Sequence, residues 1–259
     1  MKFAEARSPE LENAPATDLF DRVVCGVDGT DAGFEAVRQA ARLVSPGGWL
    51  EVFGAAPRVT AERGAGETIR RAVSIAGSRA ESRLVDGPPL QSFLHELKEK
   101  RATLAVVGTH GHRRLYEVMI GGVGGELLHD APCSVLIARP PLTDALFPRA
   151  LVVGTDCSPE SDRAVAAAEY LADRFGIPLR IITALRGKFV DLASAQAPAS
   201  AEVFEEHPVR ALVRGSMDAD ILVVGSRGLH GIKSLGSISE RVAHQAACSV
   251  LVVRAGTQE

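Results

Sequence analysis

Residues 23–44, VVCGVDGTDAGFEAVRQAARLV, carry the reading of the fold. Residues 23–27 form a short apolar run that stops at Asp28 and Gly29. Phe34, Val37, Ala41 and Val44 then recur every three or four positions, the spacing of one apolar helix face. A strand leading directly into a helix opens an α/β unit. The pattern returns at 152–172 as VVGTDCSPESDRAVAAAEYLA. Two further blocks repeat in the same order: LAVVGTHGHRRL (104–115) matches ILVVGSRGLHGI (221–232), and APCSVLIARP (131–140) matches AACSVLVVRA (246–255). Self-similarity of this kind means two copies of one supersecondary plan.

The offsets between the copies locate their differences. Asp28 and Asp156 are 128 residues apart, Gly108 and Gly225 are 117 apart, and Cys133 and Cys248 are 115 apart. The second copy has lost 11 residues midway and two more after its glycine turn. The reading is a tail over 1–20, a first domain over 21–139, a linker over 140–148 and a shortened second domain over 149–259.

Strand and helix signals alternate in each copy. The first is predicted as strands 22–28, 49–55, 80–85, 104–108 and 134–138, with helices 31–44, 60–78 (glycine-interrupted), 88–100 and 122–130. The second repeats this as 150–155, 159–175, 178–184, 201–206, 208–216, 220–225, 238–246 and 249–253. A loop or single turn is expected over 185–200, where the 11 residues are missing. Alternation with apolar strands predicts parallel sheets covered on both faces, joined by right-handed crossovers. Ligands bind such sheets outside the carboxyl ends of the strands, where the winding reverses. The residues to watch therefore end the first and fourth strands.

The first strands end at Asp28-Gly-Thr and Asp156-Cys-Ser. An aspartate there accepts hydrogen bonds from a ligand amine or hydroxyl, or it and the hydroxyl beyond it cap the next helix. The fourth strands end in Gly108-Thr-His-Gly111, nine residues and Gly121-Gly122, and in Gly225-Ser-Arg-Gly228, seven residues and Gly236-Ser237. Glycines bring backbone N–H groups close to a ligand, and a helix N-terminus favours anions such as phosphate. Each loop is thus read either as a polyphosphate wrap or as a plain connector.

These residues resemble the universal stress protein family: G-x2-G-x9-G-[ST] after the fourth strand, Val-Asp-Gly ending the first, and C-S-V-L-hydrophobic in the fifth. The resemblance covers about 21–139 and 149–254, in a tandem form. It implies five-stranded sheets ordered 3-2-1-4-5 and, in nucleotide-binding members, ATP at the glycine loop. By that match Asp28 would face adenine, Gly108 and Gly111 would pass beside ribose and phosphates, and Gly121, Gly122 and Val123 would hold phosphates by backbone N–H groups. Asp156, Gly225, Gly228, Gly236 and Ser237 would form the second site. Both copies depart from the pattern. The first has Gly122 where a hydroxyl residue belongs, a loss of about 0.5–1.5 kcal/mol for one neutral hydrogen bond. The second keeps Ser237 but has a loop two residues short, and two extended residues span about 7 Å. The loops therefore favour the first half as the nucleotide site.

Other features exclude more than they suggest. The chain has 259 residues, 46% hydrophobic and 24% charged, with a net charge of -3. That is a globular composition without the basic surface of a nucleic-acid binder. No apolar run approaches the roughly 18 residues of a spanning helix, and the charged N-terminus lacks the apolar core of a secretory signal. A cytoplasmic location with no membrane partner is expected. Cys25, Cys133, Cys157 and Cys248 form no C-x-x-C pair and read as small apolar residues. His110, His112 and His230 read as solvated loop residues, so no metal site is assigned, and Arg113, Arg114 and Arg227 read either as phosphate contacts or as solvated loop residues. No G-x-S-x-G, H-E-x-x-H or Walker motif is present, and no catalytic residue is assigned. The functional expectation is a stress-response protein that senses or regulates through an ATP-like adenine nucleotide and an unnamed protein partner. The alternatives are a non-nucleotide scaffold and a slow ATP hydrolase. The apolar fifth strands would be hazardous as open edges, so the halves are expected to pack on each other there as an internal pseudo-dimer. Further pairing into a homodimer is left open.

Overall fold

The computed structural model describes residues 16–56, 64–109, 122–141, 146–184, 198, 200–226 and 236–254. After a 3-10 turn at Ala16–Phe20 the first half runs β1 (Arg22–Gly26), α1 (Asp31–Leu43), β2 (Trp49–Ala56), α2 (Gly64–Ala76), β3 (Glu81–Asp86), α3 (Pro89–Glu99), β4 (Leu104–Gly108), α4 (Gly122–Asp130) and β5 (Ser134–Ala138). The second half runs β6 (Leu151–Gly154), α5 (Pro159–Phe175), β7 (Leu179–Ala184), β8 (Ala201–Phe204), α6 (Pro208–Gly215), β9 (Ile221–Gly225), α7 (Ser237–Gln245) and β10 (Ser249–Val253). The helix expected over 60–78 is described only from Gly64. The first strand stops at Gly26, two residues before the expected end, and the strand expected over 201–206 stops at Phe204. The segment expected to be a loop or turn over 185–200 lies almost wholly outside the described residues.

Local chemistry explains the helix ends. The Thr30 hydroxyl caps α1 by accepting the Gly33 N–H at 3.0 Å, and Ser158 does the same for Ser161 at 3.3 Å ahead of α5. Gly176, at φ 63°, closes α5 in the left-handed conformation.

The expected pair of sheets is a single sheet of ten strands in the order β3-β2-β1-β4-β5-β10-β9-β6-β7-β8. Each half keeps the order 3-2-1-4-5 with parallel neighbours. The halves join where β5 and β10 run antiparallel, with Leu136 opposite Leu251. The correction has a simple cause: each fifth strand is wholly buried, and each supplies the hydrogen-bonding edge the other lacks.

Alternating side chains feed two continuous cores. Val24, Phe53, Leu97, Leu128, Leu212 and Val242 pack on the face covered by α3, α4, α6 and α7. Val23, Cys25, Phe34, Leu43, Leu136 and Leu171 pack on the face covered by α1, α2 and α5. No helix among the described residues is long and apolar enough to cross a membrane.

Candidate functional site

Each half has a cleft at the carboxyl ends of its first and fourth strands. In the first half the chain leaves β1 through Val27, whose N–H still bonds the Phe53 carbonyl at 2.9 Å, and then bends at Gly29, φ 81°. Asp28 Oδ1 accepts the Thr30 N–H at 3.0 Å and the Thr30 hydroxyl at 2.6 Å. The second half repeats this bend. Asp156 Oδ1 accepts from the Ser158 N–H at 3.2 Å and the Ser158 hydroxyl at 2.5 Å, and Cys157 takes the left-handed position at φ 61°. The hydrogen bonds show the capping reading of each aspartate. Each braces the capping hydroxyl of the next helix, and each also lines its cleft.

Gly108 has a packing reason as well as a place in the wall. A Cβ there would fall 2.3 Å from the Ala32 carbonyl oxygen, so only glycine lets α1 start against the end of β4. Val123 lines the same cleft, and Gly122 opens α4 beside it. In the second half Gly225 and Gly236 line the wall and Ser237 opens α7, whose cap Gly236 offers no side-chain bond to the first turn. Gly111, Gly121 and Gly228, with His110, His112, His230, Arg113, Arg114 and Arg227, lie outside the described residues.

The cleft walls contain residues that the motif reading missed. Phe53 from β2 and Phe93 from α3 stand in the first cleft, their ring centroids 5.4 Å apart. Ile182 from β7 and Leu212 from α6 stand in the second. The repeated blocks end before these positions, and only strand register aligns them: Gly26 pairs with Phe53 as Gly154 pairs with Ile182. The second cleft adds hydroxyls. Thr155 Oγ1 and Ser161 Oγ are 3.0 Å apart, and Ser239 Oγ donates to the Gly225 carbonyl at 2.7 Å. The corresponding first-half residues are Val27, Gly33 and Gly124. The first cleft encloses about 110 Å³ and the second about 220 Å³.

Three of the four cysteines stay apart from this chemistry. Burial raises the thiols of Cys25, Cys133 and Cys248, the latter two to about 12, so all three are protonated at neutral pH. Apolar walls, an aspartate turn and a helix start converge in each half. That arrangement suits holding a flat apolar group with polar substituents.

The comparisons with known proteins agree with this architecture. The model of the "Universal stress protein family" matches residues 19–139 and 201–254. Universal stress protein Rv2005c of Mycobacterium tuberculosis is 30% identical over 206 residues, covering 67% of this chain and 68% of that protein. The crystal structure of a putative universal stress protein from Pseudomonas aeruginosa superposes with a TM-score of 0.73 at 15% identity, covering 93% of this chain and 95% of that one. A universal stress protein structure from Archaeoglobus fulgidus gives 0.70 at 20% identity, covering 90% and 97%. The two structures speak for the fold, and the sequence matches speak for descent. The chain belongs to the universal stress protein family.

Proposed function

We propose that this protein binds an adenine nucleotide at its strand-end clefts and acts in the cytoplasm as a stress-response sensor or regulator. The observation that carries the reading is the same constellation in both halves. An aspartate turn ends the first strand, a glycine ends the fourth, and a helix start follows. Doubly wound sheets bind nucleotides at that place, and helix N-termini attract phosphate. Asp28 and Asp156 would face the base or ribose, and the starts of α4 and α7 would meet the phosphates. The loop spacing favours the first half, with Gly108, Gly111, Gly121, Gly122 and Val123 around the ligand.

Freshly purified full-length protein, denatured by heat and analysed by chromatography, should release adenine nucleotide. Titration calorimetry of nucleotide-free protein should give micromolar affinity for ATP. An affinity no tighter than about a millimolar, some -4 kcal/mol, overturns the reading and favours a scaffold.

A further inference from the structure

The two clefts hold equivalent places but are filled differently. A Cβ on Gly26 would sit 3.4 Å from the ring of Phe93, and a Cβ on Gly154 would sit 2.7 Å from Leu212. These two side chains therefore press on the same point of the first strand in their respective halves. Opposite them stand Phe53 and Ile182. Phe53 and Phe93 pack on each other in the first cleft, their ring centroids 5.4 Å apart. Each phenyl is longer and broader than the branched chain replacing it. The cleft with the two phenyl rings encloses about 110 Å³ and the cleft with the two branched chains about 220 Å³.

We propose that the second half seats the ligand's planar base, with Leu212 and Ile182 setting the specificity. Phe93, braced by Phe53, fills the corresponding volume in the first half. The inference rests on the nucleotide reading above and reverses the order of the halves that loop spacing favours. The loop reading concerned how far a chain reaches around phosphates. The walls decide whether a flat bicyclic ring enters at all, and ring entry comes first, because a group excluded by close-packed side chains gains nothing from the loop. The Thr155–Ser161 hydroxyl pair and Ser239 give the wider cleft polar partners that Val27, Gly33 and Gly124 do not supply.

The test uses the full chain and exchanges the walls. Leu212→Phe converts the second wall towards the first, and Phe93→Leu does the reverse. Calorimetry with ATP and with adenosine should show both ligands weakened at least tenfold by Leu212→Phe, and wild-type affinity retained at the existing site by Phe93→Leu. Wild-type affinity in Leu212→Phe, or loss of binding in Phe93→Leu, overturns the inference. Methyl NMR of the unmutated protein covers the case in which a variant fails to fold. Adenosine should shift the Ile182 and Leu212 methyl resonances before any near Phe93. Indole, a flat bicycle without sugar or phosphate, separates the two failures. Shifts at Ile182 and Leu212 with indole but none with adenosine or ATP would retire the nucleotide reading and keep the open second wall. No shift with any of the three would overturn the inference itself.

Discussion

Gly29 and Cys157 stand at the same bend, and the two halves solve it differently. A left-handed backbone costs an ordinary residue about 1–2 kcal/mol and glycine almost nothing. The first half uses glycine at φ 81°, where a Cβ would also fall 2.9 Å from the Thr68 hydroxyl oxygen on α2. The second half tolerates Cys157 at φ 61°, whose N–H bonds Thr155 Oγ1 at 3.1 Å. Gly29→Ala is therefore expected to lower stability by about 1–2 kcal/mol, read as a lower urea midpoint at unchanged slope. An unshifted midpoint would mean that the turn has another conformation open to it. Gly122 is a contrasting case, because a Cβ there meets nothing closer than Glu126 Oε1 at 3.9 Å. The bends were legible as the turn that follows each first strand, although the strands themselves stop at Gly26 and Gly154, before the aspartates. The division of labour inside them was not, because one aspartate oxygen and one hydroxyl suit a ligand and a helix cap equally well until hydrogen bonds are assigned.

The interface between β2 and α3 carries a second asymmetry. Trp49, Glu51 and Phe53 alternate onto one face of β2, and Glu51 and Glu96 are each only 2% exposed. Lys100 Nζ lies 3.6 Å from Glu51 and 3.9 Å from Glu96, and Arg83 lies 3.0 Å from Glu96. Burial, reinforced by the neighbouring Glu96 charge and opposed by Lys100, pushes the Glu51 carboxyl up from 4.5 to about 7. The folded protein therefore holds a proton on Glu51 that the unfolded chain has released. Its contribution to stability is present in full below about pH 4.5 and is lost as pH rises through about 7. Glu51→Gln removes that proton equilibrium while keeping the shape. The variant should gain on the wild type between pH 5 and pH 8 in urea denaturation, and a stability gap equal at both pH values would sink this account. Periodicity made the elements themselves legible: the spacing of Phe34 and Val37 placed α1, and apolar runs placed β4 and β5. The carboxyl pair was hidden because Glu96 sits among Lys98, Glu99 and Lys100, in a stretch that reads as a solvated helix face.

At the scale of the molecule, the seam between β5 and β10 is stitched by related arginines. Arg139 follows β5, donates its backbone N–H to Ser249 Oγ at 3.0 Å and reaches the Ala243 carbonyl near the end of α7 at 2.5 Å. Arg254 follows β10, donates to Ser134 Oγ at 3.0 Å and reaches the Leu128 carbonyl near the end of α4 at 2.5 Å. Each guanidinium thus satisfies carbonyls at a helix C-terminus of the other half, where a cation also complements the helix dipole. Burial lowers the Arg139 guanidinium to about 10, so it remains charged at neutral pH. The pairing of the fifth strands was legible from two apolar edges in one chain. The arginine exchange was not, since an Arg closing an apolar run reads equally as a solvated terminus. The seam makes a quantitative demand that the outer edges do not. Leu136 is fully buried opposite Leu251, whereas Leu84 on the edge strand β3 is 41% exposed. Leu136→Arg puts an unpaired charge between two apolar layers and should cost upwards of about 3 kcal/mol. Leu84→Arg makes the same chemical change where water reaches the side chain, and should stay within about 0.5 kcal/mol. The two melting temperatures should therefore separate widely at neutral pH. Equal melting temperatures, with the halves tumbling independently by NMR relaxation, would exclude a continuous sheet across the seam.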